Sequence, residues 1–170
     1  HMERNLPLMR TMRTTLLLIA LVLVACGGTR KALERGAHYE RAGMHSEAYG
    51  VYHELHQRQR MHVEAHIGMQ RTAQAISLRM QDEASAKYLA DDLSGGDALR
   101  NKVESYHREQ AVRGLDLSWN TLLELRRQEA VQRSADRALN DAQAALREQR
   151  FEAALDAARR CLALQPDRKE

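Results

Sequence analysis

Apolar residues are distributed in two different ways along the chain. Residues 16 to 25, LLLIALVLVA, form an unbroken apolar run of ten, whereas from about residue 29 onward apolar residues are interspersed with charged and polar ones. Ala, Leu, Arg, Glu and Gln dominate the second part and favour helices, and β-branched residues are sparse in it. We therefore expect an all-α domain that follows a separate N-terminal segment.

Short turn-like stretches divide the helical part into segments. Breaks are predicted at residues 41–46, near 59–61, near 80–82 and at 93–97, with a weaker one after Gly114. The clearest is LSGGD, because a glycine can end one helix in the left-handed conformation and Asp97 can cap the next helix. Helices of about 12 to 17 residues separated by such turns are typical of stacked hairpins.

Two stretches share one spacing of small and aromatic residues. The first contains Gly36, Tyr39, Gly43, Ala48, Tyr52 and Leu55, and the second contains Ala142, Ala145, Phe151, Ala154, Ala158, Cys161 and Pro166. This spacing resembles that of tetratricopeptide (TPR) repeats. The resemblance implies a solenoid of helical hairpins, in which small residues let two helices approach and larger ones fill the gap to the next hairpin.

The resemblance places a helical-hairpin repeat domain at residues 31–168, with its clearest repeats at about 29–62 and 135–168. Between them lie one degenerate hairpin, whose best-matching residues are Gly68, Ala84 and Tyr88, and a helix-forming segment at 97–134 without the signature residues. That segment could be two helices of the array or one long inserted helix. A generic helical-hairpin or coiled-coil domain is the alternative fold.

No polar capping helix follows Pro166, although solenoids usually need one. We therefore expect either a longer natural array or a partner that covers the last hairpin.

Residues 1–25 are typical of an export signal after a cloning remnant, the opening His-Met. A basic stretch at residues 2–15 precedes the apolar run, which ends with a small residue, Ala25. Ten helical residues rise about 15 Å, roughly half of a bilayer core, so a stable transmembrane helix is disfavoured.

Leu23-Val24-Ala25-Cys26 resembles the bacterial lipobox, in which signal cleavage leaves the cysteine as the new N-terminus. The resemblance implies diacylglycerol on the Cys26 sulfur, an N-acyl chain on its amine and a lipid-anchored linker at residues 26–30. Because Gly27 is not aspartate, it also implies the outer membrane rather than the inner one, with the domain facing the periplasm. A plain short membrane helix with a chance cysteine is the alternative.

The second cysteine, Cys161, has no partner for a disulfide if Cys26 is acylated. Its place on an apolar helical face predicts buried packing, with a reactive thiol as the alternative.

The charge of the chain argues against one class of function. The net charge is +3, but Arg4, Arg10 and Arg13 precede Cys26, and cations nearly balance acids beyond it. Nucleic-acid binding is therefore not expected from charge.

Two histidine pairs, His53/His56 and His62/His66, have the spacing of one helix face. Imidazoles near Met69 suit a soft metal ion. No carboxylate or cysteine completes a known ligand spacing, so we expect no metal site and retain the four histidines only as weak candidates. A periplasmic metal-binding protein is accordingly a less favoured alternative function.

The chain has no nucleophile elbow, phosphate loop, HExxH or paired-cysteine motif, so we expect neither an enzyme nor a cofactor. Trp119 is the only tryptophan, and Leu115, Trp119, Leu122 and Leu123 are predicted to share one helical stripe. Packing in the core is the first interpretation of Trp119, and an anchor at a partner interface is the second.

A lipid anchor joined to repeats is similar to lipoproteins that assist pilus or secretin assembly, outer-membrane protein insertion, secretion or motility machinery. The resemblance implies a protein-binding scaffold whose partner is an envelope complex. Candidate contact residues are His38, Tyr39, His66, Gln70 and Trp119. A structural subunit that assembles with itself by stacking of repeats is the alternative function.

Overall fold

The computed structural model describes residues 28–59 and 62–165, and within these ranges every regular element is a helix. The all-α prediction is confirmed. The predicted export signal, Cys26 and Pro166 lie outside the described residues. The six helices are α1 (residues 28–41), α2 (His45–Arg58), α3 (Val63–Leu89), α4 (Leu93–Val112), α5 (Thr121–Arg147) and α6 (Phe151–Leu164).

Several predicted turns occur where the sequence places them. Gly43 and Gly114 both have positive φ, 72° and 77°, and each follows the end of a helix. This left-handed conformation suits glycine because it has no Cβ. Helix α1 also includes residues 28–30, which the sequence had assigned to the linker.

Two predicted boundaries are wrong. Helix α3 continues without interruption through residues 80–82, where Gln81 is fully buried. The next turn comes before LSGGD rather than within it, because Asp91 takes the left-handed conformation itself, with φ of 61°. Asp92, not Asp97, caps α4 by accepting a hydrogen bond from the Gly95 amide at 2.9 Å.

The chain forms two compact units, residues 1–73 and 74–170, and α3 contributes to both. In the first unit the ring of Tyr52 lies between two helices. A Cβ on Gly36 of α1 would lie 2.6 Å from this ring, and a Cβ on Gly68 of α3 would lie 2.7 Å from it. Tyr52 is only 3% exposed, so the two glycines allow a large ring to be buried at this position.

The second unit has two apolar clusters. One is formed by Tyr88, Ala84, Leu123 and Ala130, with Trp119 packed at its edge. The other joins α5 to α6, where Cys161 packs against Ala135 and Ala138. Cys161 is a buried free thiol, and small residues at the contact let α5 and α6 approach closely.

The segment that matched the repeats poorly, residues 97–134, consists of most of α4, a non-helical stretch at 115–120 and the start of α5. The predicted stripe of Leu115, Trp119, Leu122 and Leu123 is therefore wrong. The first two residues precede the helix, and Leu122 is exposed while Leu123 is buried. Helix α5 also begins well before the predicted repeat, at Thr121.

Among the described residues, no helix is both long enough and apolar enough to cross a bilayer.

The first testable consequence concerns Gly68. Replacing Gly68 with alanine should lower the free energy of unfolding by about 1 to 3 kcal/mol, because the new Cβ would overlap the buried Tyr52 ring. Gly50→Ala is the matched control, since Gly50 lies in α2 with nothing within 4 Å of a Cβ. It should stabilise the chain by about 0.5 to 1 kcal/mol through helix propensity. Urea unfolding followed by circular dichroism would measure both, and equal shifts would contradict the packing described.

Candidate functional site

The structure places four of the five predicted contact residues on two helices of the first unit. His38 is exposed and Tyr39 half-buried on α1, with their rings 6.2 Å apart. His66 and Gln70 are half-buried on α3. His66 lies against His56 rather than at an open position, with ring centroids 5.5 Å apart.

A carboxylate and a guanidinium join α1 to α3 beside these residues. Arg71 donates from Nε and Nη2 to the two carboxylate oxygens of Glu40, at 2.7 and 2.8 Å. The Tyr52 hydroxyl belongs to the same group, and its pKa is raised by burial and by the neighbouring Glu40 carboxylate. A bidentate pair fixes direction as well as distance, so it holds the two helices in one register.

The four histidines considered as metal ligands lie in different surroundings. His53 stacks on Tyr49 at 5.7 Å, and the His62 ring accepts a hydrogen bond from the Ala65 amide at 3.3 Å. Only His56 and His66 meet. Within residues 28–59 and 62–165, no three histidine, cysteine or acidic side chains are grouped closely enough to hold a metal ion.

In the second unit, two glutamine side chains of α3 hold the non-helical stretch 115–120. Gln74 pairs with the backbone of Ser118, accepting from its amide at 2.7 Å and donating to its carbonyl at 3.3 Å. Gln81 donates to the same carbonyl and accepts from the Asn120 amide at 2.6 Å. The stretch therefore has fixed backbone partners although it is not helical.

Ser77, His107 and Asp116 together contain the residue types of a catalytic triad. Ser77 Oγ lies 2.6 Å from His107 Nε2, and Asp116 raises the pKa of His107 against the larger lowering effect of burial. Ser77 is fully buried and also accepts a hydrogen bond from Gln81 at 2.9 Å. A substrate carbonyl could not approach its oxygen, so these contacts support the fold.

Trp119 is half-buried in this unit. Its ring meets His107 edge to face at 5.4 Å, and the Arg100 guanidinium lies 5.5 Å from the ring centroid. Trp119 therefore packs against the core while part of it stays exposed, and its role at a partner interface stays a prediction.

The second unit contains a group of contacts around Tyr88 that matches the group around Tyr52 in the first unit. The Tyr88 hydroxyl donates to Asp97 at 2.8 Å, and Arg127 of α5 donates to the same carboxylate oxygen at 2.7 Å. Burial and the Asp97 carboxylate raise the pKa of Tyr88. Gly96 leaves space for the Tyr88 ring as Gly36 and Gly68 do for Tyr52.

Sequence reasoning missed most of these polar partners. The buried residues Gln81, Ser77 and Gln110 had no motif around them, and Asp97 was interpreted as a helix cap. The repeat spacing had singled out Tyr52 and Tyr88, but it gave no signal for the polar groups that their hydroxyls meet.

Comparisons with known protein families, with curated proteins and with solved structures find no match to this chain.

Trp119 should report the titration of His107. Burial lowers the pKa of His107 below its ordinary value of 6.5. The folded state therefore favours the neutral ring: this contribution to stability is complete above pH 6.5 and decreases as the pH falls towards the folded-state pKa. We expect the fluorescence of Trp119 to change with a midpoint below 6.5. His107→Gln should abolish that change and exposed His38→Gln should preserve it, whereas a midpoint above 6.5 would contradict the burial described.

Acid should weaken the second unit through Asp97. Burial alone would raise the pKa of this carboxyl, but Arg127 and the Tyr88 hydroxyl hold it below its ordinary value of 3.8. The ionised Asp97 carboxylate therefore stabilises the folded state above pH 3.8. This stabilisation is lost as the pH falls through the lower folded-state pKa of the carboxyl. Asp97→Asn should lower the free energy of unfolding at neutral pH by about 1 kcal/mol, allowing for partial exposure.

Urea unfolding between pH 3 and 7 would measure the effect of Asp97→Asn. The matched control is Asp82→Asn, at an exposed position of α3. An unchanged stability at neutral pH in the Asp97 variant, or an equal loss in the control, would contradict this prediction.

Proposed function

We propose that the protein is a lipid-anchored scaffold of the bacterial envelope, held in the outer membrane through Cys26, with a TPR-like helical array that binds other proteins in the periplasm. The anchor rests on Leu23-Val24-Ala25-Cys26 and the basic and apolar segments before it. Acyl chains suit such an anchor because each buried CH₂ contributes about 0.8 kcal/mol to membrane attachment.

The observation that carries the binding role is the tyrosine packing that occurs once in each unit. Tyr52 lies against glycines of two flanking helices, and Tyr88 lies against Gly96. In each unit the hydroxyl adjoins a carboxylate held by an arginine of a later helix. Recurring helix pairs with the same small-to-aromatic contact are what a stacked repeat array requires, and such arrays offer extended binding surfaces.

Two places on this array suit a partner. On the first unit, the aromatic rings of His38 and Tyr39 lie on α1. The ion pair between Glu40 and Arg71 fixes α1 to α3. Helix α3 carries the other two candidates, His66 and Gln70. On the second, the Gln81 side chain hydrogen-bonds to the backbone of Ser118 and Asn120, the two neighbours of Trp119. Rigid aromatic side chains lose little entropy on binding, which makes them effective anchors. No chemical step is assigned to the protein.

Affinity capture from native bacterial membranes tests the proposal. A C-terminally tagged full-length chain is solubilised in mild detergent beside Cys26→Ser, and intact-mass measurement reports acylation. We expect a stoichiometric set of envelope proteins with the acylated chain, and a depleted set with Cys26→Ser.

A surface variant separates binding from anchoring. His38→Ala with Tyr39→Ala should weaken partner affinity at least about tenfold, because truncating aromatic anchors has that effect at interfaces. The control, Asn101→Ala with Lys102→Ala, changes two adjacent exposed residues of α4. Recovery of the protein alone after crosslinking would contradict the scaffold, and an unacylated Cys26 would contradict the anchor.

One observation favours self-assembly as a second candidate function. Phe151, Leu155 and Leu162 of α6 are 67%, 52% and 51% exposed, and their spacing places them on one side of the helix. Stacking of a second copy on this side would bury them. Sedimentation should then show concentration-dependent association that Leu155→Ser with Leu162→Ser removes, and a monomer at every concentration would exclude this candidate.

A further inference from the structure

A groove of about 640 Å³ lies between α1 and α2 in the first unit. Its sides carry Lys31 and Arg35 from α1 and Arg58 from α2, and one acidic residue, Glu54, also lines it. At one edge, Gln59 donates a hydrogen bond to the Thr29 hydroxyl at 3.1 Å, which joins the start of α1 to the end of α2.

The positive charge of this groove is only partly neutralised. Arg58 forms an ion pair with Glu54 at 2.6 Å. Among the described residues, neither Lys31 nor Arg35 has a carboxylate partner, although Arg30 nearby is paired with Glu34. Lys31 and Arg35 are four residues apart on one helix face, an arrangement of like charges that destabilises a helix unless an anion compensates it.

Apolar residues line the groove together with the cations. They are Ala32, Val51 and Leu55, and Val51 and Leu55 are themselves buried. A groove lined by both cations and apolar residues suits a molecule that joins an anionic head to an apolar body. A phospholipid, whose phosphate adjoins its glycerol and acyl chains, has that chemistry.

The position of the groove in the chain favours a membrane lipid as this molecule. Gly28 lines it, two residues after Cys26. Two residues span at most about 7 Å, so an acyl anchor on Cys26 would hold the groove close to the bilayer surface. This step rests on the proposed anchor.

We infer that the groove docks the first unit onto anionic phospholipid headgroups, with Lys31, Arg35 and Arg58 facing the phosphates. The lipid anchor and the groove then make two separate contacts with one membrane. The anchor limits how far the domain can move from the bilayer, and the groove sets which face of the domain meets it.

Hydrogen exchange on the full acylated chain in vesicles tests this docking. One set of vesicles contains phosphatidylcholine alone, and the other contains phosphatidylcholine with phosphatidylglycerol. We expect amides at 28–35 and 51–58 to be protected further only with phosphatidylglycerol. High salt should remove that protection, because the screening length falls from about 10 Å at 0.1 M to about 3 Å at 1 M.

Charge-neutral variants provide the matched comparison. Each cation near an anionic surface contributes a factor of about five to binding, so Lys31→Gln with Arg35→Gln should reduce the docked-to-undocked ratio about 25-fold. Lys102→Gln with Arg108→Gln removes the same charge from α4 and should leave the ratio unchanged.

Three outcomes would overturn the inference. Protection could be equal in both kinds of vesicle, or the two double variants could lose the same amount of protection. Inorganic phosphate could also give the same protection in neutral vesicles, which would indicate a free-phosphate site instead. The mass of the chain reports acylation independently. An unacylated Cys26 would therefore contradict the anchor, while the exchange measurement would still report on the groove.

Discussion

Close approach between a tyrosine ring and a glycine backbone determines how the helices of each unit pack. The Tyr52 ring occupies the space that a side chain would take at Gly36 and Gly68, and the Tyr88 ring does the same at Gly96. Glycine inside a helix costs about 1 kcal/mol in propensity, but a buried tyrosine removes roughly 150 to 250 Å² from water, which offsets that cost. The hydroxyl at the far end of each ring needs a polar partner, and a carboxylate paired with an arginine supplies it.

The second unit adds a polar core to this arrangement. Ser77 and Gln81 are fully buried, and each uses its side chain in hydrogen bonds to His107, Ser118 or Asn120. A buried polar group without a partner costs about 1 to 3 kcal/mol, so these contacts specify one conformation for the stretch 115–120. The backbone on both sides of Trp119 is consequently held in place, at Ser118 and at Asn120.

The sequence predicted those features that depend on neighbouring residues. Helix formers predicted the all-α fold, and Gly43 and Gly114 marked turns because each adopts positive φ. Other features depend on distant residues. Asp91 ends α3 in a conformation usual for glycine, where Arg133 and Arg137 bind its carboxylate across 42 and 46 residues. The contacts that hold 115–120 span 37 to 44 residues, so no local pattern could identify them. The TPR-like array, the lipid anchor and the contact residues stay predictions.

The burial of Cys161 links thiol chemistry to the integrity of the α5–α6 hairpin. Its sulfur is enclosed by Ala135 and Ala138, and the residue is 5% exposed. The close packing of α5 on α6 leaves little room for an oxidant or a second thiol while the hairpin is closed. In an oxidising compartment, the lifetime of the reduced thiol would therefore depend on the fraction of time for which α6 is open, since opening exposes the sulfur. A contact that packs two helices would thus also control how readily the thiol is oxidised.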